Sequence, residues 1–224
     1  AYFKITAEDA IREGILQRDE INQARTDLPD SAFRQLYLAE ALDDQANPFG
    51  IDHITRQIRP ISNGTPVCFG IDLAKSIDWT VVIGLDSVGK ICVFERWQSD
   101  WGQTRSRIKQ IVGPVPGFID STGVGDPIAE DLIKDCHALQ RFNFSSRSKQ
   151  QIMEGLASGI QKGEVTVLAG VMQDELESFE FEYSRSGVKY SAPDGMHDDC
   201  VCSLALAFSS LKNNTFGGTY MQSF

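Results

Sequence analysis

No apolar stretch in this chain approaches the roughly 20 residues a helix needs to cross a bilayer, and no signal-peptide succession opens it. These absences lead to the expectation of no membrane partner. Cysteine is sparse: Cys68, Cys92, Cys136, Cys200 and Cys202 make an odd count of five with no CxxC pair. That spacing excludes a complete disulfide framework and suits zinc poorly. Three of the five lie in or beside apolar runs, where a thiol behaves as a small hydrophobe. There is no internal repeat and no low-complexity tract, which excludes solenoid and fibrous classes. Bases are also short, with 21 Lys and Arg against 31 Asp and Glu for a net charge of -10. Taken alone, that balance argues against a nucleic-acid binder. The deficit is uneven, however. Arg141, Arg147 and Lys149 stand in a stretch with no acid, whereas residues 174–182 carry five acids and no base. A site that is itself a carboxylate cluster makes its protein acidic until a cation is added, so DNA is not excluded.

With 224 residues, 42% hydrophobic and 23% charged, the chain can hold one large domain, or one domain with an appendage. It starts at Ala1 and reads as a piece excised from a longer protein. Residues 1 to about 47 read as helical. Thr6 is a candidate N-cap for a helix running to Leu16, and Leu28-Pro29-Asp30-Ser31 breaks the pattern before a second helix with Phe33, Leu36, Tyr37 and Ala41 on one side. Residues 48–65 read as a linker or extended arm. From Pro66 the pattern becomes strand and helix: strands at 67–74, 79–85 and 90–97, a helix at 101–112, and a strand at 115–120. A helix capped by Asp126 and ending near His137 follows, then a strand at 139–144 and a helix opened by Ser148 to about Gln161. A strand at 164–168, a hairpin at 179–190 and a last helix from Asp198 to Leu211 complete the series. The expected units are 1–60 as helical segment and linker, 61–212 as a mixed α/β domain, and 213–224 as a flexible tail.

Acidic residues stand at the ends of these elements. Asp72 ends the apolar run Val67-Cys68-Phe69-Gly70-Ile71, Asp120 ends Val115-Pro116-Gly117-Phe118-Ile119, and Asp198-Asp199 open the apolar last helix. Strand ends and a helix start can aim carboxylates at one point although they are far apart in sequence. Converging carboxylates repel unless a cation is bound, so the pattern predicts Mg²⁺ or Mn²⁺. A carboxylate-bound metal pair is a device for phosphodiester cleavage.

Three meander strands followed by helix, strand, helix, strand and helix is the order of an RNase H-like mixed sheet flanked by helices, with the hairpin inserted before the last helix. The segments FGIDLAKSIDWTVV, GFIDSTGVGDPIAEDL and GMHDDCVCSLALAF resemble the nuclease domain of the large terminase subunit of tailed bacteriophages. SSRSKQQIMEGLASGIQKGEVTVL resembles that family between its second and third acidic motifs, and LPDSAFRQLYLAEALDD resembles the end of its ATPase half. The resemblance implies a metal-dependent endonuclease that cuts concatemeric viral DNA during genome packaging. It implies double-stranded DNA, the ATPase half, the small terminase subunit and the portal as partners, and the host cytoplasm as its location. No GxxxxGK[ST] phosphate loop occurs here, so the chain is expected to cut but not to translocate DNA.

The resemblance makes Asp72 the bridging ligand of two metals, Asp120 the second ligand, and one or both of Asp198 and Asp199 the third; spacing leaves open which of that pair ligates and which caps the helix. Asp78, His197 and Lys149 are possible accessory residues, for positioning a water, protonating a leaving oxygen and contacting the scissile strand; Lys75 is a further candidate. Each also has a plainer role: turn residue, local histidine or solvated lysine. Other readings are an RNase H-like resolvase or transposase-type nuclease, an actin-like or sugar-kinase ATPase, and a non-catalytic packaging module.

Overall fold

The computed structural model describes residues 5–28, 30–39, 47–73, 79–122, 126–184 and 187–215. Its centre is a five-stranded sheet. Strand β1 (Cys68–Asp72) lies between β2 (Thr80–Leu85) and β4 (Gly117–Asp120), with β3 (Ile91–Trp97) outside β2 and β5 (Leu139–Phe142) outside β4. The β1–β2 and β2–β3 pairs are antiparallel, and β1–β4 and β4–β5 are parallel. The spatial order is β3-β2-β1-β4-β5, a mixed sheet that opens with the expected three-strand meander.

The central strand is apolar along its length because both of its faces are covered. Cys68 packs in one core, with Val81, Ile83, Leu85 and Phe118. Phe69 and Ile71 pack in the other, with Val82 and Ile119. The second face is covered by α5 (Trp101–Val112) and α6 (Asp126–Asp135), through Ile108, Val112, Ala129 and Leu132. The first face carries α9 (Asp199–Thr215), backed by α7 (Ser146–Lys162) and α8 (Val171–Ser178). Each fully buried Ile, Leu or Phe here contributes about 1.5–3 kcal/mol of transfer free energy. The hairpin of β6 (Glu180–Ser184) and β7 (Gly187–Ser191) precedes α9 as expected.

Several expectations are corrected. Residues 48–65 are not a plain linker: α4 (Ile51–Gln57) forms there, and Phe49 and Ile54 are fully buried in the α9-side core. Asn47 explains why. Its amide donates to the carbonyls of Leu176, Glu177 and Phe179, and its Oδ1 accepts the Phe49 and Gly50 amides, so the chain is pinned to the end of α8. The segment 164–168 forms no strand; only Val167 bridges, to Ile58. Helix α7 is capped by Ser145 rather than opened by Ser148, with Ser148 closing the capping box. Helix α8, which has no counterpart in the sequence reading, fills the turn before the hairpin. Near the N-terminus, α1 (Ala7–Arg12) is capped by Thr6 but stops short of Leu16, and α2 (Arg18–Asp27) precedes α3 (Asp30–Leu38). These three pack around Ala7, Ile21 and Phe33 in a small core of their own. Helix α9 runs past Leu211 to Thr215; the tail from 216 lies outside the described residues.

Candidate metal centre

The register of the sheet brings Asp72 and Asp120 together. Phe69, Gly70 and Ile71 face Gly117, Phe118 and Ile119 across the parallel β1–β4 pair. One step further in phase, Asp72 stands beside Asp120 on strands about 4.8 Å apart. Side chains alternate along a strand, so Asp72 shares a face with Gly70, and Asp120 with Phe118. That face belongs to α9: a Cβ at Gly70 would stand 2.1 Å from the Ser203 carbonyl oxygen.

Helix α9 runs antiparallel to β1. Ser203 Oγ donates to the Gly70 carbonyl at 2.9 Å, and Cys68 Sγ lies 3.3 Å from the Ala207 carbonyl. Four helical residues rise about 6 Å, the length of two strand residues. Counting four residues back from Ser203 and two forward from Gly70 brings Asp199 to the level of Asp72. Asp198 stands at the N-cap position, its carbonyl accepting the Cys202 amide at 2.8 Å.

Lys149, in the first turn of α7, reaches the same volume. Its Nζ donates to Asp198 Oδ2 at 2.9 Å and lies 5.8 and 5.9 Å from the ring centres of Phe144 and Phe179. His197 Nδ1 stands 3.5 Å from Asp199 Oδ2 at the rim. Asp78 and Lys75 lie outside the described residues. Thr122 fixes Asp120, donating to Oδ1 from its amide at 2.8 Å and from its hydroxyl at 2.6 Å.

The electrostatics report the crowding. Burial, then the carboxylates of Asp120, Asp199 and Asp198, push Asp72 well above the usual carboxylate range, against the pull of Lys149. Asp120 is pushed up by burial foremost, with Asp198 acting the same way and Thr122 and Lys149 opposing. Asp199 is pushed up to about 6 by burial, then by Glu175, with His197 opposing. Burial works against the charge of Lys149, but its acidic surroundings, Asp198 and Asp72 among them, hold its affinity for a proton above the ordinary value.

Sequence reasoning did not single out Glu175 or Arg96. Glu175, buried on α8, accepts the Cys200 amide at 2.7 Å, and Arg96 Nη2 stands 3.6 Å from its other oxygen. The missing signal was α8 itself, whose acids read as one more charged stretch.

Among the described residues, no three His, Cys, Asp or Glu groups form a ready-made metal cage. The convergence lies in the backbone, and Lys149 is the cation drawn to it. The donor set nonetheless fits a hard divalent ion: its atoms are carboxylate oxygens, and the buried Asp199 Oδ2 finds no hydrogen-bond partner among the described residues.

A mixed sheet in this order, with carboxylates at the ends of two neighbouring parallel strands and at the start of the helix laid across them, defines an RNase H-like carboxylate centre. No family model matches the chain. It is 31% identical over 222 residues to the terminase large subunit of Thermus virus P23-45, the match covering 88% of this chain and 44% of that protein. The chain thus spans less than half the length of that curated relative. The structure of the large terminase nuclease from thermophilic phage G20c with bound magnesium superposes with a TM-score of 0.65 at 29% identity, covering 75% of this chain and 98% of that one. The Thermus phage P74-26 large terminase nuclease domain gives a TM-score of 0.63 at 27% identity, over 76% and 97% of the two chains. In sequence and fold the chain is a homologue of the phage large terminase subunit across its nuclease domain.

Proposed function

We propose that the chain is a metal-dependent endodeoxyribonuclease, the nuclease part of a phage large terminase subunit, which cuts concatemeric viral DNA during packaging. The observation that carries this reading is the meeting of Asp72, Asp120 and the Asp198-Asp199 pair at one end of the sheet, where burial and neighbouring carboxylates disfavour the charge of Asp72, Asp120 and Asp199 until a cation arrives. Asp72 and Asp120 would hold the ion from the strand ends, and Asp199 from the helix start. Asp198 stands at the N-cap position of α9 with its side chain paired to Lys149, which favours Asp199 as the ligand. Mg²⁺ or Mn²⁺, when bound, supplies the Lewis acidity that activates water and offsets charge on the phosphodiester.

Rigid strand ends hold Asp72 and Asp120, Thr122 fixes the rotation of Asp120, and Lys149, paired with Asp198, would meet a backbone phosphate. His197, at the rim beside Asp199, would protonate a leaving oxygen. With a net charge of -10, affinity for duplex DNA rests on local phosphate contacts and falls steeply with salt. The partners that follow are double-stranded DNA, an ATPase half of the same subunit, the small terminase subunit and the portal, in the host cytoplasm.

The test is cleavage of plasmid and of linear duplex with Mg²⁺, Mn²⁺ or EDTA, for wild type beside Asp72→Asn and Asp120→Asn. Cleavage that needs metal and is lost in both variants is expected. Cleavage of branched junctions alone would favour a resolvase, and cleavage that survives Asp72→Asn would reject the assignment.

A further inference from the structure

Three buried polar atoms that find no hydrogen-bond partner among the described residues lie around the first turn of α9: Arg96 Nε, Glu175 Oε1 and Asp199 Oδ2. They come from three elements. Arg96 on β3 pairs with Val81, which pairs with Asp72, so all three share one row on the α9 face of the sheet. The Arg96 guanidinium lies over the Trp79 ring at 3.9 Å and meets Glu175 across 3.6 Å. Glu175 Oε2 accepts the Cys200 amide at 2.7 Å. That amide is one of the donors a helix start leaves without an intrahelical partner, and the residue before it is Asp199.

We infer that Arg96 and Glu175 are positioning residues for the metal centre, with Glu175 tethering the first turn of α9 and Arg96, clamped on Trp79, fixing Glu175, so that Asp199 is held facing Asp72. The inference rests on the proposed metal-dependent nuclease. A device for stability alone would not be built this way. A short polar side chain at the N-cap satisfies such an amide without burying charge, and a buried ion pair is often no more stabilising than apolar residues of the same volume. Glu175 also brings a further negative charge beside Asp199, which disfavours the metal-free centre and favours a bound cation. Pairs that orient ligands in this way change metal affinity about 10–100-fold when removed.

The test is calorimetric titration of the full chain with Mn²⁺, alongside plasmid cleavage across Mn²⁺ concentrations. Glu175→Gln keeps an acceptor for the Cys200 amide and removes the charge; Arg96→Met removes the guanidinium that lies over Trp79 and keeps an unbranched side chain. Both are expected to bind Mn²⁺ about 10–100-fold more weakly and to need correspondingly more metal for half-maximal cleavage, with the KM for DNA within about twofold of wild type. Arg96→Lys is expected to recover part of the loss. If a single variant fails to fold, the double variant Arg96→Met with Glu175→Leu removes both charges together and is read in the same way. Wild-type Mn²⁺ affinity in folded variants overturns the inference. So does a loss confined to the KM for DNA, which would make Arg96 a phosphate contact. A wild-type chain that neither binds Mn²⁺ nor cuts DNA would overturn the proposed function, and this inference with it.

Discussion

Gly70 and Ser203 touch backbone to backbone. The Ser203 hydroxyl donates to the Gly70 carbonyl at 2.9 Å, and a Cβ on residue 70 would stand 2.1 Å from the Ser203 carbonyl oxygen and 2.3 Å from the Ala207 amide nitrogen. Glycine is required here for the close approach. A methyl group would press on main chain, which cannot rotate aside. Gly70→Ala is therefore expected to cost about 3 kcal/mol, the upper part of the overpacking range. It is also expected to weaken metal binding by lifting Asp199 from Asp72. Urea unfolding checks the first effect and Mn²⁺ titration the second; wild-type stability in Gly70→Ala would mean that α9 does not lie on this strand.

Thr122 carries two bonds through one hydroxyl. It donates to Asp120 Oδ1 at 2.6 Å and accepts the Phe144 amide at 2.9 Å. Thr122→Val keeps the shape and loses both. The Phe144 amide is then short of a partner, at a cost of about 1 kcal/mol, and Asp120 keeps only the Thr122 amide bond and is held less firmly. A cleavage rate about tenfold lower, with higher Mn²⁺ restoring part of it, is expected. Thr122→Ser should restore activity, because the hydroxyl and not the methyl carries the role.

The parts of this site legible in the sequence are those that depend on chain-local pattern. Asp72 and Asp120 follow apolar runs that had to be strands, and Asp198-Asp199 open a helix apolar on most sides. Their meeting followed from the order of elements. Lys149 was visible only as a base at a helix start; its bond to Asp198 depends on the packing of α7 against α9. Glu175 and Arg96 were not legible. They meet only through tertiary packing, and α8 was not anticipated. The linker reading of 48–65 failed for the same reason: α4 has few residues, and what fixes it is Asn47, whose partners lie about 130 residues away.

Removing one of the crowded carboxylates should relieve repulsion in the absence of metal. Asp72 is half-buried and crowded by Asp120, Asp199 and Asp198, so Asp72→Asn exchanges a penalised charge for a neutral group of similar shape. In EDTA this variant is expected to melt several degrees above wild type, and saturating Mg²⁺ should raise wild type more than the variant. Thermal unfolding with and without metal checks this. A variant less stable than wild type in EDTA would show that Lys149 already neutralises the cluster.

The same repulsion sets a pH dependence. Asp199 is raised from 3.8 to about 6 in the folded protein, with Asp72 and Asp120 shifted in the same direction. Between the unfolded and folded values the native state holds protons that the unfolded chain has released. Stability therefore falls as pH rises through this window. For Asp199 alone, the rise to about 6 corresponds to at most about 3 kcal/mol. In EDTA, these groups are expected to make the protein less stable at pH 7.5 than at pH 5. Bound Mg²⁺ supplies the opposing charge and takes the place of those protons, so millimolar Mg²⁺ should flatten or reverse the slope at the alkaline end. Melting curves across pH, with EDTA and with Mg²⁺, decide this; parallel curves would mean that the ion does not bind at these carboxylates.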